Sequence, residues 1–140
     1  MKKYLNLSFV FAIAALACGV FYREFTKFQG FSGKTVLALP HVHLFALGTL
    51  FFLILGLYAD RLDLSSQKTF RAFLPLYLAG LPLMAAIFLL RGVLEVLGKE
   101  LSAGASAAIS GVAGISHTLI TAALVLLFAA LRRAAAAHAK

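Results

Sequence analysis

Three histidines in long apolar stretches are the residues of this sequence best suited to chemistry. His41 and His43 lie two positions apart just after Pro40, and His117 lies in the last apolar stretch. An ionisable side chain at membrane depth is costly to bury and is a functional hypothesis by default, and a neutral imidazole is a common metal ligand. These three histidines are therefore the candidate metal ligands. We expect His138, in the polar tail, to be solvated.

His43 and His117 are predicted to lie at similar depth. His43 comes 17 residues before Asp60 and His117 comes 15 residues before Arg132, which is about 25 Å and 22 Å along a helix. In an up-down bundle their two helices stand diagonally across the core, roughly 11 to 14 Å apart. That gap is wide for direct contact and suits two imidazoles with a metal between them, so haem b is the favoured cofactor.

The two neighbouring histidines leave other interpretations open. On a regular helix His41 and His43 are about 200° apart, so only one of them faces a given point. If the run is extended instead, both histidines and His117 form a three-nitrogen site for copper or zinc. A histidine that only donates a hydrogen bond to a carbonyl or serine is the interpretation without a cofactor.

Two further sets of residues are candidates for cofactor binding. Small side chains beside His117 leave room for a flat macrocycle or for a closely packed helix: Ser110, Gly111 and Gly114. Basic side chains near the inferred histidine level are suited to haem propionates, although they equally suit lipid headgroups: Arg23, Lys27 and Arg91.

The elements that position these residues follow from hydrophobicity. The 140 residues are 62% hydrophobic with a mean hydropathy of +0.96, and the 13 basic and 5 acidic residues are gathered in short clusters. The intervals between the clusters are long enough to cross about 30 Å of hydrocarbon as helices. The sequence therefore predicts an all-α, four-helix transmembrane bundle with up-down topology and a single domain, with spans at about residues 4–22, 38–59, 72–92 and 104–131.

Charge placement predicts the orientation. Eight basic residues fall on the side of the two termini and five on the other, so both termini are predicted to be cytoplasmic. The net charge of +8 is scattered over helix ends, which argues against nucleic acid as a partner. An alternative is a lipoprotein-like signal cleaved at Cys18, which leaves three spans. Otherwise Cys18 is a lone buried thiol without a disulfide partner.

Five short runs give the sequence a family resemblance: 22–27, 34–35, 41–44, 91–92 and 110–117. They resemble an uncharacterised bacterial family of four-span membrane proteins, known only as a domain of unknown function. The resemblance covers nearly the whole chain and implies a protein of the bacterial cytoplasmic (inner) membrane, but it supplies no activity. The His-x-His run is also similar to a haem-bearing helix of haem-copper oxidase catalytic subunits, which are several times longer.

Two classes of function are expected from these features. The first is a haem-binding or metal-binding membrane protein for electron transfer or ligand sensing, with the bilayer, a redox partner or quinone, and a second copy as partners. The second is a cofactor-free transporter, channel or accessory subunit. The sequence has no nucleophile-base-acid set and no phosphate loop, so a hydrolase is not expected.

Overall fold

The computed structural model describes the backbone of residues 1–138 and the side chains of residues 1–137. Within that part there are four helices that are long and apolar enough to cross a membrane, and no strand. The prediction of an all-α four-helix bundle is confirmed, and the chain is a multi-pass membrane protein. The helices are α1 (Lys2–Phe28), α2 (Val36–Arg61), α3 (Lys68–Val96) and α4 (Ala103–His138).

The helices run past the charge-free intervals at their ends, so the predicted spans are shorter than the helices. α1 continues through its basic residues to Phe28, and α3 continues to Val96. Both helices end at a glycine with positive φ, Gly30 and Gly98, each at 62°. The amides after these turns bond back to the helix, Phe31 to Thr26 and Lys99 to Leu94. This is the Schellman ending, in which glycine adopts the left-handed conformation at little cost.

The second helix is irregular. It opens with a 3₁₀ turn at Val36–Ala38, continues as α-helix over Leu39–His43, widens to a π-helix over Leu44–Leu50 and returns to α-helix over Phe51–Arg61. Pro40 lies in the first α-helical turn, where the missing amide costs no hydrogen bond, as predicted. The π segment was not predicted from the sequence.

Each helix packs on its neighbour in the chain. On α2, Gly48 lies against Phe11 of α1, whose ring stacks on Phe52 at 5.6 Å between centroids. Between α2 and α3, Phe51 stacks on Tyr77 at 4.6 Å. Between α3 and α4, Gly80 lies against Ser116 and Ile120. Over the described residues α1 and α4 do not pack as neighbours, so the bundle is open between them.

The core lies where α2 and α3 meet and is aromatic. Phe52, Phe73 and Tyr77 have no exposed surface, and the ring of Tyr77 contacts Phe52 edge-on and Phe73 at a tilt. Many large apolar side chains instead point outward, including Phe9, Val20 and Phe128. Exposed apolar surface on this scale is stable only in lipid or against a partner.

Candidate functional site

His117 is exposed on α4, on a helix face whose end near the termini borders a cleft between α2 and α4. At the end of the bundle near the termini this cleft is a cavity of about 180 Å³, and both helices line it: Phe51, Ile54, Leu55 and Tyr58 of α2, and Leu127, Phe128 and Leu131 of α4. Residues spaced three or four apart share one helix face. Phe128, Leu124, Thr121 and His117 follow that spacing, so the exposed His117 lies further along the same face.

His43 lies on the face of α2 that meets α3. Its ring is 5.1 Å from the ring of Phe88, and Phe51 on the same helix stacks on Tyr77 of α3. His43 and Phe51 therefore both lie on the side of α2 that meets α3, and Phe51 also lines the cavity.

Both imidazoles are held in the same way. Nδ1 of His43 is 2.9 Å from the carbonyl oxygen of Leu39, and Nδ1 of His117 is 2.8 Å from that of Ala113. A carbonyl can only accept, so each Nδ1 carries the proton and donates it, and each Nε2 keeps its lone pair. A histidine whose Nδ1 is held by a carbonyl while Nε2 is free is the usual arrangement of a metal-ligating imidazole.

His41 faces a different neighbour. Its ring carbons are 3.7 Å or more from the position that a Cβ on Gly19 of α1 would take, so His41 packs against α1 and away from the cleft. This agrees with the 200° rotation predicted between His41 and His43. Its buried Nδ1 has no hydrogen-bond partner in the described part of the chain.

The run that contains His41 and His43 is helical and not extended. Among residues 1–137 there is no group of three or more histidine, cysteine or acidic side chains placed to hold a metal ion. The three-nitrogen arrangement considered for copper or zinc therefore has no counterpart in this geometry.

The depths of His43 and His117 differ by more than residue counting suggests. His43 contacts Phe88 of α3, whereas Ser116, beside His117, contacts Gly80 of α3. Phe88 and Gly80 are eight residues apart, so the two histidines are offset by about 12 Å along the bundle, compared with ~3 Å from counting. Counting measures each helix from its own charged end, and those ends are not level.

The small residues beside His117 leave open space. A Cβ added to Gly111 or Gly114 would meet nothing within 4 Å, and Ser110 is exposed. Ser110 and Gly114 lie seven and three residues before His117, on the same helix face. The surface of α4 on the outer side of His117 therefore has almost no projecting side chains. Ser116, on the adjoining face, is fully buried and donates to the carbonyl of Ala113 at 2.7 Å.

The three basic candidates lie in two places. Arg91 of α3 lines an open cleft of about 310 Å³ together with Ser106 of α4. Arg23 and Lys27 are exposed on α1, and Arg23 pairs with Glu24 at 3.3 Å. Thus only Arg91 lies beside the helix that carries His117, and α1 packs on the opposite side of α2.

Two residues of α3 that contact this part of α2 were missed by sequence reasoning. Phe88 contacts His43, and Tyr77 donates its hydroxyl to the carbonyl oxygen of Leu47 at 2.8 Å, one turn from His43. Their spacing of eleven residues matches three helical turns on one face of α3, a pattern common to any buried face. The spacing therefore did not distinguish them.

Comparison with known proteins identifies a family. A family model described as a protein of unknown function, DUF2871, matches residues 1–134. No curated protein and no solved structure matches the chain. The match covers all four helices except the end of α4, including every candidate residue of the cleft. The chain therefore belongs to the DUF2871 family of proteins of unknown function.

Proposed function

We propose that this protein binds haem b between α2 and α4 through His43 and His117, which approach one metal when the two helices shift along the bundle, and that it transfers electrons within the membrane. The observation that carries the proposal is the matched hydrogen bonding of the two imidazoles. Each donates from Nδ1 to the carbonyl four residues earlier, which fixes the tautomer and leaves Nε2 available to a metal. A helical histidine without a cofactor makes the same bond to the carbonyl four residues earlier, and the proposal adds a metal at the free Nε2.

The surroundings fit a flat, largely apolar group. Gly111 and Gly114 leave the face of α4 open, and Phe88 provides an aromatic surface next to His43. Arg91 lies at the loop end of α3, where its guanidinium can pair with a carboxylate that reaches the interface. Bound haem supplies one-electron chemistry, while the residues of the chain fix the imidazole orientation and exclude water.

The cleft faces lipid, which suggests the class of redox partner. His117 is exposed and α1 packs on the far side of α2, so a lipid-soluble carrier such as a quinone reaches the cleft without leaving the bilayer. The family resemblance and the excess of basic residues near the termini favour the bacterial cytoplasmic membrane with both termini inside.

Absorption spectroscopy of the purified protein tests the proposal. Protein from haem-replete cells is expected to show a Soret band whose reduced spectrum is that of low-spin haem with two histidine ligands. His117→Ala is expected to abolish the band or convert it to high spin, and so is His43→Ala. Added imidazole should restore the low-spin form where haem is retained, because it replaces the missing ligand.

Two matched controls accompany these variants. His41→Ala removes an imidazole that faces α1, and His138→Ala removes one that is 21 residues from His117 along α4; both are expected to leave the spectrum unchanged. A colourless preparation with neither copper nor zinc by elemental analysis would contradict the proposal.

One observation favours a second function. In the most apolar stretch of α4 only 17% of the residues are buried, and a Cβ added to Gly111 or Gly114 would meet nothing within 4 Å. Small residues of this kind are commonly used for close helix packing. A cofactor-free accessory subunit, seated through α4 on a larger membrane complex, is therefore the alternative that a colourless preparation would support.

A further inference from the structure

The end of the bundle that carries the termini has a second cavity, separate from the α2–α4 cleft. Its volume is about 570 Å³, and it lies between the loop joining α2 to α3 and the last turns of α4. Its polar lining comes from Asp63, Ser66, Gln67, Lys68 and Arg133.

The charges of this cavity favour an anion. Lys68 and Arg133 come from different helices and both line it, against the one carboxylate of Asp63. Ser66 turns its amide and hydroxyl towards the main-chain oxygen of Asp63, at 3.3 and 2.8 Å, and leaves that carboxylate without a bond from the serine. Two cations from separate elements that converge on one cavity are a recurring feature of phosphate-binding sites.

Amide donors at the start of α3 also favour an anion in this cavity. α3 begins at Lys68, and its N-cap residue Gln67 makes no side-chain capping bond. The first amides of a helix carry partial positive charge and bind anions readily.

We propose that this cavity binds a phosphate group between Lys68 and Arg133. Its place at the end of four membrane-spanning helices makes an anionic phospholipid the expected source, with the headgroup in the cavity and the acyl chains along α4. The proposal does not depend on haem binding, because the cavity shares none of its lining residues with the α2–α4 cleft.

Native mass spectrometry of the delipidated protein tests this proposal with two double variants, each of which removes two positive charges. Lys68→Gln with Arg133→Gln removes both cations of the cavity. Lys3→Gln with Arg132→Gln removes two exposed cations at the same end, and Arg132 lines a different surface of α4. With phosphatidylglycerol as probe, retention is expected to fall on the order of tenfold or more in the first variant and to remain near wild type in the second.

Thermal unfolding in detergent supplies the second readout and shows that each variant folds. Phosphatidylglycerol, but not phosphatidylcholine, is expected to stabilise the wild type and the control variant. Stabilisation by inorganic phosphate alone, lost in the cavity variant, would support the same site with a soluble phosphate as its ligand. Equal loss of phosphatidylglycerol in both variants, or no preference for it over phosphatidylcholine, would overturn the proposal.

Discussion

At the scale of single residues, Gly92 decides how closely α2 and α3 approach near the histidines. A Cβ on Gly92 would overlap the backbone nitrogen and Cα of Leu37. Beside it, the carboxylate of Glu95 accepts from the hydroxyl of Thr35 at 2.8 Å and from the amide of Val36 at 2.9 Å. These contacts fix the start of α2, and therefore the position of His41 and His43 one to two turns later.

Gly92→Ala is expected to destabilise the protein by about 2 kcal/mol or more, because the added methyl group meets backbone that cannot rotate away. Gly104→Ala is the matched control, since a Cβ there meets nothing within 4 Å. Thermal unfolding in detergent, monitored by the loss of the monodisperse peak, measures the difference in stability between the two variants. A Gly92→Ala protein as stable as the control would mean that α2 and α3 are not in close contact.

Residue types and spacing were enough to identify the candidate histidines and the rotation between His41 and His43. They were not enough to predict which side chains contact each histidine. His41 meets Gly19 and His43 meets Phe88, and these contacts depend on which helices are neighbours and on their relative height. Neither quantity is contained in the distance of a residue from its own charged helix end.

At the scale of elements, the π segment of α2 is the feature that sequence periodicity did not reveal. Two hydroxyls from different helices donate to carbonyl oxygens within it, Tyr77 to Leu47 at 2.8 Å and Ser8 to Thr49 at 2.9 Å. Such segments are often found at functional sites, and their wider turn is stable when side chains satisfy the disturbed carbonyls. A run of apolar residues looks the same in an α-helix or a π-helix, so this segment depends on partners distant in sequence.

Tyr77→Phe is expected to lower the free energy of unfolding by about 1 kcal/mol, because it leaves a buried carbonyl with one donor fewer while the ring still packs. Tyr58→Phe is the control, since Tyr58 is more than half exposed. Amide hydrogen exchange of residues 44–50 should rise in the first variant only. Unchanged exchange there would show that the hydroxyl of Tyr77 does not hold the π segment.

At the scale of the whole molecule, the four helices were predictable because the bilayer imposes them. Long apolar intervals separated by charges have few alternatives in lipid. The open side of the bundle was not predictable, since the hydrophobicity of a lipid-facing residue resembles that of a buried one. Val125 and Ala123 of α4 are both apolar, yet the first is 65% exposed and the second is fully buried.

Cysteine labelling tests the arrangement of the spans. In a Cys18→Ala background, Ser65→Cys and Lys99→Cys place one thiol in the α2–α3 loop and one in the α3–α4 loop, both at exposed positions. An impermeant thiol reagent is expected to reach Lys99→Cys from outside intact cells and Ser65→Cys only after lysis. If both are labelled from outside, α3 does not cross the membrane.

The π segment also determines what happens to α2 when one residue is inserted or deleted there. A helix that loses one residue there returns to α-helical winding, and everything before the loss turns by about 100° relative to everything after it. In this protein such a loss would separate His43 from Phe88 and His41 from Gly19, while Phe51 would remain stacked on Tyr77. The presence or absence of one residue in this segment therefore decides which side chains α2 presents to α1 and to the cleft. The side chains that contact α1 and the cleft are themselves unaltered.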